Sequence, residues 1–147
     1  AYDLLEPALD RALSALLVFH VDLSEGRWHT AYRAERLVAF LRRAHGPRVE
    51  VIVHDTRWLA QSCPRLITVL RLYGHAITVY RTGSEARNAM DPLVIGDDRH
   101  FLHRFHVDGP RAALAFDSPI AARPLVARFE EIWATGEPGL SGTVLGL

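Results

Sequence analysis

Three apolar runs of strand length are spread through the first 81 residues with helical patterns between them, and that alternation constrains the fold more than any other feature. The runs are residues 16–21 (Leu-Leu-Val-Phe-His-Val), then Val49, Val51 and Val53 alternating with Arg48, Glu50 and His54, then residues 77–81. Ahead of them, Leu4, Leu5, Ala8, Leu9, Ala12 and Leu13 predict an amphipathic helix over residues 3–13, with Pro7 in its first turn. Between the first two runs, past a loop from Asp22 to Gly26, a helix starts near Thr30. Its inward face is Ala34, Leu37, Val38 and Leu41, its outer face Arg33, Arg36, Arg42 and Arg43, and Gly46-Pro47 stops it. Between the second and third runs, residues 58–61 form a separate turn. Ser62 then caps a helix with Pro64 in its first turn, Leu66, Ile67, Leu70 and Tyr73 inward, and Gly74 at its end. Strands that alternate with helices pair in parallel through right-handed crossovers, because parallel neighbours need a long return.

The pattern then changes. A polar connection at residues 82–88 leads into two short strands folded at Gly96-Asp97-Asp98, where Gly and Asp supply the backbone freedom of a tight turn. Residues 112–116 form a further strand. Asp117 or Ser118 caps a last helix with Pro119 at its start, the apolar stripe Ala122, Leu125, Val126, Phe129, Ile132, Trp133, and Gly136 at its close. The expected fold class is α/β, a mixed, mainly parallel sheet flanked by helices. Residues 1–136 form a single domain, and residues 137–147 a tail that is either disordered or packed as an extended arm.

Composition narrows the chemistry. All 17 basic residues are Arg, balanced by 17 acidic ones. The absence of Lys excludes a Schiff-base lysine and a phosphate-loop lysine, while Arg keeps two-pronged anion binding available. With no net charge, no global field draws the chain onto nucleic acid or anionic lipid, though a local patch can. The single Cys63 cannot form an internal disulfide and is expected as a buried free thiol. No run of about 18 apolar residues and no basic-then-apolar leader is present, which implies no membrane span and a cytoplasmic location.

The segment from Asn88 to Ser118, with residues 18–23 (Val-Phe-His-Val-Asp-Leu), 51–57 (Val-Ile-Val-His-Asp-Thr-Arg) and 128–133 (Arg-Phe-Glu-Glu-Ile-Trp), resembles half of a phospholipase D-type domain. More narrowly, it resembles an uncharacterised bacterial family related to that superfamily and sometimes fused to N-acetyltransferase domains. The resemblance spans roughly residues 8–135. In the superfamily a strand carries His-x-Lys-x-x-x-x-Asp; here Asp91 stands at the His position, Leu93 at the Lys position, and Asp98 alone keeps the motif. The resemblance implies a half-domain that, in active relatives, pairs with a second half so that two His residues meet, one attacking phosphorus and one protonating the leaving group. With Asp91 and Leu93 in place, it implies the fold of a pseudoenzyme, leaning away from catalysis.

Candidate sites follow from position. Ligands tend to lie beyond the carboxyl ends of parallel strands, and those ends carry Asp22, His54, Asp55, Arg57, Arg81, Thr82 and Ser84. His54 with Asp55 could serve acid–base work, and Arg57 with Arg81 could hold an anion. Against that stand a rim histidine and an Asp55 that bonds loop amides. His100, His103 and His106 invite a metal reading, but on an extended strand His103 points away from the other two, so no metal is expected. Asp97 and Asp98 read as turn residues. Ser118 sits where a helix N-terminus could hold an anion or merely be capped. Trp28 with His29, Tyr32 and Arg33 could form an exposed aromatic and basic patch for a partner or a base. Three functions follow: a non-catalytic binding or assembly module that self-associates through the hairpin side of the sheet; an enzyme acting on a phosphate- or carboxylate-bearing substrate through His54, Asp55, Arg57 and Arg81; and weak nucleic-acid binding through an Arg face. Partners are then a second copy (a homodimer) or a neighbouring domain, with an anionic small molecule or nucleic acid as ligand. No cofactor is expected.

Overall fold

The computed structural model describes residues 14–140, so the expected helix over residues 3–13 lies outside the described residues. The strands are β1 (Ala15–His20), β2 (Arg48–Val53), β3 (Ile77–Arg81), β4 (Leu93–Gly96), β5 (His100–Arg104), β6 (Ala112–Ala115) and β7 (Glu137–Leu140). The helices are α1 (Ala31–Arg43), α2 (Arg57–Ser62), α3 (Pro64–Leu72) and α4 (Pro119–Ala134), with a 3-10 turn at Ser84–Ala86. The strands form one mixed sheet in the order β6-β5-β4-β1-β2-β3-β7. β1, β2 and β3 are parallel, and every other pairing is antiparallel.

The period-two alternation of the strands divides the core between the two faces of the sheet. Leu16, Val18, Val49, Val51, Val53 and Val79 turn to one face, where α1, α2 and α3 cover them. Leu17, Phe19, Ile52, Leu93, Ile95 and Phe101 turn to the other, packed under α4 through Ala122, Phe129 and Ile132. The expected mixed α/β sheet with helices on both faces is therefore present, but it is not mainly parallel: two of its six pairings are parallel and four antiparallel, because only β1, β2 and β3 are joined by helical crossovers.

Local physics sets the boundaries and corrects several expectations. The Thr30 hydroxyl accepts from Arg33 N and starts α1. Asp97 and Asp98 both have left-handed backbone (φ 51° and 57°), and Arg99 N donates to Gly96 O across them, closing a three-residue loop between the paired Gly96 and His100. The Asp97 carboxylate also accepts from Ser14 N, Ser14 Oγ and Ala15 N, which pins the start of β1 to the hairpin. Ser62 does not cap α3. It ends α2, Cys63 N closes that helix on Leu59 O, and Cys63 occupies the cap position ahead of Pro64. Cys63 is buried, and burial pushes its thiol up to about 11.

Arg33 and Trp28 are not on the surface; each is 1% exposed. Arg33 shares its helical stripe with Leu37, Phe40 and Leu41, four, seven and eight residues on, and its Nε donates to Gly26 O. The expected exposed patch thus loses two members, leaving His29 and Tyr32 outside. Beyond Gly136, the segment expected as a tail contributes β7, whose residues pair with β3 at Arg81, Tyr80 and Val79 across a register shift.

Candidate functional site

Every parallel strand ends at the same edge of the sheet, and β4 begins and β5 ends there too, because Leu93 pairs with both Phe19 and His103. Polar and charged side chains concentrate along that edge in two groups, one on each face of the sheet.

On the α4 face, Asp91 precedes β4 and His103 lies on β5 beside Leu93. Arg128 reaches in from α4. His103 Nε2 donates to Asp91 Oδ2 at 2.7 Å, Arg128 Nε to the same oxygen at 2.6 Å, and Arg128 Nη2 to Asp91 Oδ1 at 2.5 Å. Burial alone would raise the Asp91 carboxyl, but the bonds from Arg128 and His103 outweigh it and hold it below the ordinary carboxylate range. The same pairing raises Arg128. Asp91 is thus an ionised acceptor with both oxygens engaged.

On the α1 face, His20 ends β1. Its Nδ1 accepts from Leu23 N (3.1 Å) and Asp22 N (3.3 Å), which leaves the proton on Nε2. Among the described residues the buried Nε2 has no hydrogen-bond partner, and it lies 3.7 Å from Glu25 Oε2. Glu25 instead accepts from Arg104 Nη1, while Arg104 Nη2 donates to Val107 O and Gly109 O. Burial drives the His20 pKa below its ordinary 6.5, Arg104 adding to the fall and Glu25 and Asp22 opposing it. The imidazole is neutral near pH 7.

The residues expected to form an acid–base and anion site have separate partners. His54 sits between Thr82 Oγ1 on Nδ1 and Ala89 O on Nε2, both at 2.6 Å. Since a carbonyl only accepts, Nε2 carries the proton and Nδ1 accepts from Thr82, so neither nitrogen is open to a substrate. Asp55 and Arg57 satisfy one another at the surface, and that pairing pulls Asp55 down to about 2. Arg81 pairs with Glu137 of β7. Asp22 accepts from Ser24, and the Ser84 hydroxyl donates to Glu85. Both His54 nitrogens are thus engaged, and Arg57 and Arg81 each pair with a different carboxylate.

Asp98 and Ser118 lie away from Asp91. Ser118 N donates to Arg99 O, which sets Ser118 beside the hairpin turn that holds Asp98. Asp91 is at the opposite end of β4, about 13 Å away along the strand. Ser118 occupies the cap position of α4, but its hydroxyl donates to Phe116 O instead of accepting from the helix. The three histidines do separate work. Buried His100 accepts from Asp117 N, His103 holds Asp91, and exposed His106 accepts from Asp108 N. β5 stops at Arg104, so His106 lies in the following turn and not on the strand face expected for it.

Residues 5–141 match the model of a domain of unknown function, DUF7931. The chain belongs to that family. No curated protein matches the sequence. Among solved structures, the DUF7931 fold is similar to Nuc from Salmonella typhimurium, a phospholipase D family member. That likeness has TM-score 0.58 and 15% identity, and covers 92% of this chain and 88% of Nuc. It is similar to NucT from Helicobacter pylori at TM-score 0.56 and 11% identity, covering 90% of this chain and 87% of NucT. It is also similar to TrmBL2, an archaeal chromatin protein with a novel mode of DNA binding, at TM-score 0.63 and 10% identity. That match covers 90% of this chain and 48% of TrmBL2, so DUF7931 spans about half of that protein. At these identities the likeness shows the fold, and the fold is phospholipase D-like.

Proposed function

We propose that this DUF7931 domain is a non-catalytic phospholipase D-like module that works by binding and assembly. The observation that carries the reading is the state of Asp91. At the position where the resemblance expects a nucleophilic histidine there is a carboxylate already engaged by Arg128 and His103. Leu93, at the lysine position, is fully buried against the α4 face. A carboxylate repels a phosphodiester, and an alkyl chain cannot neutralise a phosphoryl oxygen.

Assembly is assigned to the β6 edge. β6 reads Ala-Ala-Leu-Ala, with no charge or proline to protect its unpaired backbone groups, and its own Leu114 (43%) is exposed, as is Ile120 (80%) in the first turn of α4. An edge of this kind suits a second copy related by a two-fold axis. Two measurements test the module. The wild type should not hydrolyse bis(p-nitrophenyl) phosphate above the buffer rate; turnover that disappears in His103→Ala would sink the non-catalytic reading. Sedimentation should give a dimer that Leu114→Asp converts to monomer, and a wild-type monomer at about 100 µM, far weaker than specific interfaces ordinarily bind, would remove the assembly role.

A second reading, nucleic-acid binding, is favoured by one observation: the arginines are unevenly distributed. Residues 27–73 hold nine arginines against the three acidic residues Glu35, Glu50 and Asp55, while the rest of the chain holds eight against fourteen. TrmBL2, whose fold this domain resembles, is a chromatin protein with a novel mode of DNA binding.

A further inference from the structure

We infer that the outer surface of α1 and α3 is a docking plate for the phosphate backbone of a nucleic acid, an inference that rests on the second reading above and gives it a location. Two contacts fix the relation of these helices. Arg65 Nη1, at the start of α3, donates to His29 O just ahead of α1, and Arg42 Nε, at the end of α1, donates to Tyr73 Oη at the end of α3. With starts adjacent and ends adjacent, the helices run side by side in the same direction. Both are crossovers laid on one face of the sheet, so their outer sides form a continuous surface about 20 Å long.

The charges of residues 27–73 collect there. Glu50 is matched by Arg48 and Asp55 by Arg57, which leaves Glu35 as the segment's remaining carboxylate. Arg27, Arg42, Arg65 and Arg71 are exposed and have no carboxylate partner among the described residues. Arg27 and Arg65 stand at one end of the plate, Arg42 and Arg71 at the other. Among the described residues, the guanidiniums of Arg65 and Arg71 are held only by long bonds to neutral oxygens, 3.4 Å to His29 O and 3.5 Å to Thr68 Oγ1. Such bonds are weak enough for a phosphate to replace them. The exposed side of α3 carries Pro64, Arg65, Thr68, Arg71 and Leu72, with no acidic residue.

Spacing and chemistry favour nucleic acid over lipid. Arg65 and Arg71 are separated by about 9 Å of helix rise, over which a duplex presents about five charges. Exposed Tyr32, with the Arg36 guanidinium 6.0 Å from its ring, adds a flat surface on which a base can stack. Stable seating on a bilayer needs an apolar face to bury, and among the described residues this surface offers only Leu72 and Tyr32 as large exposed apolar side chains. Guanidinium forks bind phosphate two-pronged, and no base-reading side chain is needed, so the binding is independent of sequence.

The test uses fluorescein-labelled 20-mers, oligo(dT) and a mixed-sequence duplex, titrated with the wild-type chain at 50 mM NaCl. Binding with Kd on the order of 1–100 µM that weakens log-linearly with salt is expected. Arg65→Glu/Arg71→Glu should weaken it at least tenfold, and Arg65→Gln/Arg71→Gln should lower the salt slope by about 2. Arg99→Glu/Arg123→Glu, with the same charge change at the hairpin turn and on α4, should stay within twofold. Far-UV circular dichroism melts confirm that each variant is folded, and the Gln pair carries the test if the Glu pair is not. No binding by the wild type overturns the nucleic-acid reading and the plate together. Binding that both charge-reversed pairs weaken equally, or neither weakens, overturns the plate while that reading survives. Capture by phosphatidylserine vesicles without oligonucleotide binding also overturns the inference.

Discussion

Two groups flank the same sheet edge with the same three kinds of residue, a carboxylate, a histidine and an arginine, and they invert one another. Under α4, the carboxylate is the enclosed member: the Asp91 side chain is 13% exposed and collects donors from His103 and Arg128. On the α1 face, the histidine is enclosed, and the carboxylate of Glu25 is 57% exposed. The enclosed acid stays ionised because three N–H groups point at it, and the enclosed base stays neutral because amides occupy one nitrogen while the other is buried with no acceptor among the described residues. Residue kinds alone therefore do not say which group is charged. What decides is which member loses water and what it is given in return.

The strongest way to break this contrast is Asp91→Ala, which leaves Arg128 and His103 facing a void. Removing one partner of a fully buried pair costs about 3–5 kcal/mol, but Arg128 is 39% exposed and partly rehydrates, so a loss of about 2 kcal/mol in urea melts is expected. A loss below about 0.5 kcal/mol would make the group a surface ion pair. Asp91 also sets a sign for acid. Its folded pKa lies below the ordinary 3.8, so its contribution is complete above that value and fades as pH falls through the lower folded one.

His20→Leu sharpens the other half. It strips an acceptor from Leu23 N and Asp22 N, at a cost of about 1 kcal/mol at pH 7.5. Because the folded pKa is depressed below 6.5, the unfolded chain binds more protons, and wild-type stability falls as pH drops below that value. The leucine variant lacks this slope, so the gap between the two should narrow by pH 5.5. Parallel profiles over pH 7.5–5.5 would show that His20 is not held neutral. The smallest effect belongs to Glu25→Gln, under about 0.5 kcal/mol by thermal melts, since Glu25 is exposed and Arg104 keeps Val107 O and Gly109 O.

The strands and most helices could be seen in the sequence because their signals are local. Alternation in residues 48–53 and the stripe Leu66, Ile67 and Leu70 are complete within a few residues. Arg33 was visible too, since it shares the spacing of Leu37, Phe40 and Leu41, but its charge argued for solvent. The sites were hidden for a different reason. Asp91 meets partners 12 and 37 residues away, and His54 meets partners 28 and 35 away. No period carries such pairings. β7, with its sequence Glu-Pro-Gly-Leu, has none of the β-branched or aromatic residues that mark a strand; its pairing comes from the position of β3.

That late strand has a bearing on synthesis. β3 is complete by Arg81, yet its outer hydrogen-bonding groups meet a partner only when Glu137 to Leu140 emerge, after α4 has been made. On the ribosome, the growing chain therefore carries an open, apolar margin for more than fifty residues of elongation, and a message cut short within α4 would release a product that is sticky along that side.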